Sequence, residues 1–89
     1  MTKSIPVSRD LSDYVEALMY ECDARRDLCA FMVDHGMNGT EHFAKYHDEY
    51  LKAVARYSVA KKELSEMAGS KGKWRLDFDK SELVVETDD

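Results

Sequence analysis

Two adjacent arginines and two tyrosines are the residue types in this chain that could bind a charged ligand. Arg25 and Arg26 lie in the first half of the sequence, and Tyr46 and Tyr50 lie one helical turn apart in the second half. A guanidinium holds a phosphate through paired hydrogen bonds, and a tyrosine ring offers a stacking surface for a base. Together these four residues form a candidate anion or nucleotide site.

Arg25 also has a structural interpretation. It interrupts an apolar three-and-four repeat, and Glu21 lies one turn before it. If two antiparallel helices meet at a turn near residues 37–38, Asp48 or Glu49 lies across from Arg25. An ion pair that fixes the register of the two helices would use these same residues. Both interpretations stay open at this level.

The remaining residues with possible chemistry have weaker patterns. Trp74 is either an anchor that holds a β-hairpin on the helices or a hot spot for a binding partner.

Cys22 and Cys29 are seven positions apart, which is a poor spacing for zinc, so we expect buried, reduced thiols. The histidines near the interhelical turn lack the i, i+4 spacing of a helical metal site. They are His35, His42 and His47. We expect no bound metal and no cofactor.

The sequence contains no motif that indicates catalysis. It has no nucleophile elbow, no glycine-rich phosphate loop and no His-Glu-x-x-His. A chain of 89 residues also leaves little room for a preformed pocket within one subunit. We therefore expect a protein that is not an enzyme.

Composition and charge narrow the possible partners and compartments. The chain has 13 Lys and Arg against 18 Asp and Glu, for a net charge of −5. This acidic balance argues against direct binding of duplex nucleic acid, which needs a basic surface. No apolar run is long enough for a membrane span, and no secretory signal is visible at the start. We expect one domain over residues 1–89 in the cytoplasm.

Three elements would position the candidate residues. Apolar residues at helical spacing predict a helix over about 8–35 and a second over 40–68, joined by a short turn. Such a link makes the helices antiparallel. The predicted seam between them consists of Leu11, Val15, Leu18, Cys22, Cys29 and Met32 in the first helix and of Phe43, Tyr46, Tyr50, Val54, Tyr57, Leu64 and Ala68 in the second. Alternating residues from Trp74 predict a β-hairpin over 73–86. The predicted fold is mainly α: a long antiparallel helical hairpin followed by a short C-terminal β-hairpin.

Apolar residues outside the predicted seam between the helices form a surplus that one hairpin cannot cover. Exposed apolar area of this extent marks an interface, so we expect a homo-oligomer, most simply a dimer that forms a helical bundle. The surplus consists of Tyr14, Met19, Leu28, Phe31 and Val33 in the first helix and Leu51, Ala53, Val59 and Ala60 in the second.

Several runs of helix and strand residues carry a family resemblance, which spans about residues 14–85. They are Tyr20, Glu21, Arg25, Arg26, Asp27, Leu28, Ala30, Phe31, Met32, Phe43, Tyr46, Glu49, Tyr50, Tyr57, Ala60, Lys61, Glu63, Trp74, Arg75, Leu76, Asp77 and Phe78. In these positions the chain resembles small accessory proteins of CXXX-repeat peptide modification systems. The resemblance implies a role beside a radical enzyme that matures a ribosomally made, cysteine-repeat peptide. It implies no catalytic residue in the small protein, and the chain lacks the cysteine triplet of an iron–sulfur enzyme.

Two functional hypotheses follow. The first is a non-enzymatic interaction or accessory protein that binds a protein or peptide partner, with an outer helix face or the edge of the β-hairpin as the contact. The second is a phage-type anti-defence protein that sequesters a nucleotide signal or inhibits a bacterial immune effector. The second needs an oligomer in which Arg25, Arg26, Tyr46 and Tyr50 line nucleotide pockets between subunits, whereas Trp74 belongs to the first.

Overall fold

The computed structural model describes residues 2–69 and 73–86. It contains two long helices, α1 (Arg9–Asp34) and α2 (Glu41–Ala68), which form a hairpin. It also contains three strands, β1 (Thr2–Pro6), β2 (Trp74–Asp77) and β3 (Glu82–Glu86). The predicted mainly helical fold with a C-terminal antiparallel strand pair is confirmed.

The helix ends follow from local capping chemistry. The hydroxyl of Ser8 accepts the backbone N–H of Leu11 at the start of α1, and that of Thr40 accepts the N–H of Phe43 at the start of α2. At the end of α1, Gly36 takes a left-handed φ of 72°, a conformation in which a side chain would be strained. The turn between the helices therefore follows from a glycine in the left-handed conformation and a threonine cap.

The chain divides into two compact units. One holds residues 2–16, 59–69 and 73–86, and thus the three strands with the start of α1 and the end of α2. The other holds residues 17–58, and thus most of the helical hairpin.

The buried stripe of α1 matches the predicted seam, and that of α2 differs from it at two positions. Val15, Leu18, Cys22, Cys29 and Met32 are all buried, as their spacing predicts. In α2, Ala53 and Ala60 are buried, so their assignment to the exposed surplus was wrong. Together with Tyr46, Tyr50, Tyr57 and Leu64 they continue one three-and-four repeat, in which small residues take seam positions.

The sheet has three strands in the order β1-β3-β2, all antiparallel, with β3 in the centre. The predicted hairpin is therefore correct for β2 and β3, but β1 is a strand that was not predicted. Residues 2–6 contain a proline and show no apolar alternation, so nothing in their pattern indicates a strand. Leu83 and Val85 on β3 are buried, and Val84 between them is half-buried, so one face of the sheet is covered.

The first turn of α1 is bonded to the turn between β2 and β3. The Arg9 guanidinium donates to the carbonyl of Phe78 at 2.7 Å and to the hydroxyl of Ser81 at 3.0 Å. The N–H of Val7 donates to the carbonyl of Ser81 at 2.9 Å. These bonds explain how the β1 segment is held at the sheet although its own sequence gives little strand signal.

Ser12 provides a test of the packing around α1. It is fully buried, and its hydroxyl has no hydrogen-bond partner among the described residues. A buried hydroxyl without a partner costs about 1 kcal/mol or more. We expect Ser12→Ala to raise the free energy of unfolding by about 1–2 kcal/mol, including about 0.5 kcal/mol of helix propensity. Ser58→Ala, at an exposed position of α2, isolates the propensity contribution, and urea denaturation of both variants measures the difference. A destabilised Ser12→Ala would contradict this prediction.

Candidate protein-binding surface

Arg25 lies in a cluster of four charged side chains that joins the two helices. Its Nε donates to Glu21 at 2.8 Å and its Nη1 to Glu49 at 3.1 Å. Arg56 of α2 donates to the same Glu21 oxygen at 2.8 Å. The predicted pairing of Arg25 with Glu21 and with Glu49 is present, and two ion pairs cross between α1 and α2.

The cluster is electrically balanced, with two carboxylates against two guanidiniums. The hydrogen bond from Arg25, helped by the charge of Arg56, holds the pKa of Glu21 below its ordinary value. The hydrogen bond to Glu21 in turn raises the pKa of Arg25. Because Arg25 is already bound to two carboxylates, its geometry suits a register-fixing role better than the capture of a phosphate.

The other three members of the candidate nucleotide site do not join this cluster. Arg26 is exposed and lies 3.5 Å from Asp23 and 3.7 Å from Asp27 on its own helix. Tyr46 and Tyr50 are half-buried on α2. Among the described residues, no guanidinium stacks on either of these two rings: Lys45 lies near Tyr46, and His47 lies beside Tyr50. The structure thus gives the four residues no common binding geometry.

Trp74 lies in the other unit, half-buried at the start of β2 and paired in register with Val85. It borders a shallow depression of about 120 Å³ on the sheet, which is also lined by Lys73, Arg75, Val84 and Glu86. Pockets for small organic ligands have volumes of about 300–1,000 Å³. The depression is therefore too small to enclose a nucleotide.

The cysteines and histidines do not assemble a metal centre. Cys22 and Cys29 are both buried and free, and burial is the main cause that raises the pKa of the Cys22 thiol. His35 stacks on Phe31 at 4.0 Å, and His47 stacks on Phe43 at 5.5 Å. No group of three potential ligands able to hold a metal ion is found within residues 2–69 and 73–86.

A second three-and-four repeat runs along the exposed side of α1. We call it the α1 outer surface, and it comprises Ala17, Tyr20, Ala24, Leu28, Phe31 and His35. At 3.6 residues per turn these positions lie on one face, roughly opposite the buried stripe. Tyr20 is 63% exposed, Phe31 57% and Leu28 42%, so two aromatic rings and a leucine face solvent in one row.

The sequence predicts this surface in part. Leu28 and Phe31 are among the surplus apolar residues named above, but Tyr20 is not counted among them. The signal for Tyr20 was its spacing of three from Ala17 and of four from Ala24, which continues to Leu28. A search for a second helical repeat behind the first would have found it.

One long border of the α1 outer surface is acidic. Asp23, Asp27 and Asp34 follow one another at spacings of four and seven along this side, and within residues 2–69 and 73–86 Arg26 is the one cation that forms ion pairs with them. Three carboxylates against one guanidinium leave this border with net negative charge. The surface is thus apolar along its centre and negatively charged along this side.

The protein is thus a helical hairpin with a small sheet, and one face of its first helix is apolar, exposed and flanked by acidic residues. No protein-family model, curated protein or solved structure matches the chain. None of the described helices is long and apolar enough to cross a membrane.

Proposed function

We propose that this protein is a non-enzymatic interaction protein that binds a protein partner in the cytoplasm through the α1 outer surface. The observation that carries the proposal is the row of Tyr20, Leu28 and Phe31, all exposed on one helix face. Contiguous exposed apolar surface on a small protein marks an interaction site, and aromatic residues dominate the binding energy of such sites.

The charges around the surface specify the chemistry of the partner. An amphipathic helix that buries its own apolar face against Tyr20, Leu28 and Phe31 meets Asp23 and Asp27 at the border. Lysine or arginine residues beside that apolar face would complement these carboxylates. Antiparallel pairing of two copies of α1 would instead bring two acidic borders together. The partner is therefore a different protein with a basic amphipathic helix.

The implied accessory role in peptide maturation agrees with this proposal, since an accessory protein acts by holding an enzyme or its peptide substrate. The alternative, nucleotide sequestration, requires cationic groups that are free to bind phosphate. Arg25 and Arg56 share Glu21, and Arg26 lies between Asp23 and Asp27. No observation at these residues favours the alternative.

Site-specific photo-crosslinking tests the proposal. A benzophenone amino acid replaces Phe31 in one variant and Leu51, a similarly exposed apolar residue of α2, in a control variant. Both are expressed in the source cells, and the crosslinked protein is identified by mass spectrometry. We expect a single predominant adduct from position 31 and none of it from position 51. Equal adducts from both positions, or none from position 31, would overturn the proposal.

Binding measurements with the captured partner then show how much binding free energy Phe31 contributes. Burial of a phenylalanine ring contributes about 1.5–3 kcal/mol, so Phe31→Asp should weaken binding by about tenfold or more. Leu51→Asp should change the Kd by less than about twofold, because Leu51 lies outside the α1 outer surface. Isothermal titration calorimetry of the wild type and the two variants measures both values. Equal losses in the two variants would show that position 31 has no special part in binding.

A further inference from the structure

Asn38 and Gly39 are the central residues of a β-turn between α1 and α2. The N–H of Thr40 donates to the carbonyl of Met37 at 3.1 Å, and the Thr40 hydroxyl donates to the same oxygen at 2.8 Å. A bond from the fourth residue back to the first closes a β-turn around two central residues. Asn38 and Gly39 are both exposed. The turn therefore presents an Asn-Gly pair to water.

The two groups of this pair that can react with each other are not hydrogen-bonded. Within residues 2–69 and 73–86, neither the carboxamide of Asn38 nor the N–H of Gly39 has a hydrogen-bond partner. The two bonds that close the turn both come from Thr40. An exposed turn held by so few bonds opens locally at a small cost in free energy. The amide nitrogen of Gly39 can then reach the side-chain carbonyl of Asn38.

The chemistry of this approach is an intramolecular acyl transfer. The nitrogen of Gly39 attacks the side-chain carbonyl carbon of Asn38, and the new C–N bond closes a five-membered imide ring. The carboxamide nitrogen leaves as ammonia, with the proton that the Gly39 nitrogen loses. A water molecule then opens the ring at either carbonyl, which gives aspartate or isoaspartate at position 38. The reaction consumes one water, releases one ammonia and changes no oxidation state.

Glycine at position 39 favours the reaction but is not required by the turn. A side chain on the attacking residue would obstruct its nitrogen, and glycine has none. Gly36 needs to be glycine because its φ is 72°, whereas the φ of Gly39 lies outside the left-handed region. A Cβ atom at position 39 would meet no other atom within 4 Å. Gly39→Ala is therefore a control that hinders the attack and keeps the turn.

We propose that Asn38 is a modification site that deamidates spontaneously through attack by the Gly39 nitrogen, and that the isoaspartate product loosens the turn. Isoaspartate carries the main chain through its side-chain methylene, and the longer backbone moves Thr40 away from the Met37 carbonyl. The aspartate product keeps the backbone length, and its charge lies before α2, where the helix dipole favours an anion. The proposal does not depend on the proposed function.

Intact mass spectrometry of the purified protein during incubation at mildly alkaline pH tests the reaction. Asn38 is the one asparagine of the chain, and the chain has no glutamine, so a gain of about 1 Da reports this side chain. We expect the gain in the wild type and a rate about tenfold or more lower in Gly39→Ala. Circular dichroism confirms the fold of the variant first. No gain in the wild type, or equal rates in the two proteins, would overturn the proposal.

Two further measurements identify the ring and its products. Hydroxylamine opens such an imide and cuts the chain, so incubated wild type should give the fragments 1–38 and 39–89. Chromatography of proteolytic peptides separates the two products, and we expect both isoaspartate and aspartate at position 38. Aspartate alone would indicate direct hydrolysis of the carboxamide and would overturn the attack by Gly39.

Thermal melts test the effect of isoaspartate on the turn. Asn38→Asp has the new charge on a backbone of normal length, so we expect it to melt as the fresh wild type does. Incubated wild type should melt about 4 °C or more lower, because its isoaspartate fraction loses the bonds of Thr40. Incubated Gly39→Ala controls for other damage and should keep its initial Tm. A wild type that gains mass without a fall in Tm would overturn the loosened turn.

Discussion

Leu64→Ala is expected to lower the free energy of unfolding by about 3 kcal/mol. Leu64 is 1% exposed on α2, in the same unit as the buried residues Leu83 and Val85 of the sheet. Truncation removes the transfer free energy of the isobutyl group and leaves a cavity. A domain of this size has a free energy of unfolding of about 5–10 kcal/mol, so the variant retains only a small part of its stability.

Leu51→Ala is the matched control, because it makes the same substitution in the same helix. Leu51 is 51% exposed, and leucine and alanine are both good helix formers. We expect a change of less than about 0.5 kcal/mol. Guanidinium denaturation of both variants gives the two values. Equal losses would mean that Leu64 is not part of a packed core.

The helices and their seam were predictable from the sequence because their signals are local and repeated. Ser8, Thr40 and Gly36 mark the ends through short-range hydrogen bonds and backbone conformation. The three-and-four repeat of Val15, Leu18 and the residues after them then identifies the buried face. Neither signal depends on knowing what lies across from the helix.

The first strand was not predictable in this way. Ile5 and Val7 alternate over too few residues to indicate a strand, and Pro6 argues against one. The segment pairs with β3, which lies about 80 residues later, and no local pattern encodes a pairing over that separation. The exposed helix face was missed in part for a related reason. The burial of Ala53 and Ala60 and the exposure of Tyr20 depend on how the two helices meet.

Glu21→Gln is expected to destabilise the protein at neutral pH by about 1–2 kcal/mol, and the loss should shrink on acidification. One carboxylate oxygen of Glu21 accepts bonds from both Arg25 and Arg56 at 2.8 Å. A neutral amide forms weaker bonds with two guanidiniums, and it leaves their positive charges close together. The magnitude is reduced for a side chain that is about one-third exposed.

The pH dependence follows from the pKa of Glu21, which is held below its ordinary value of 4.5 in the folded state, chiefly by the hydrogen bond from Arg25. Because the folded pKa is depressed, the stabilisation is present above the unfolded value and is lost as pH falls through the folded value. Urea denaturation at neutral pH and at pH about 3 should therefore show the wild type and Glu21→Gln converging. A difference that stays constant with pH would show that the charge of Glu21 does not supply the stabilisation.

Arg25→Met separates the roles of the two partners in this cluster. In that variant Glu21 keeps Arg56, Glu49 is exposed enough to be hydrated, and methionine suits the apolar repeat that Arg25 interrupts. We expect the Tm to stay unchanged or to rise, because the apolar contacts of methionine in the seam offset the lost bonds of Arg25 and neither carboxylate is left buried without a partner. The Glu21 variant should melt several degrees lower, since about 1 kcal/mol corresponds to about 4–8 °C in a domain of this size. Thermal melts followed by circular dichroism compare the two. A large drop in the Tm of Arg25→Met would contradict this prediction. It would mean that the guanidinium is essential for stability through more than these ion pairs.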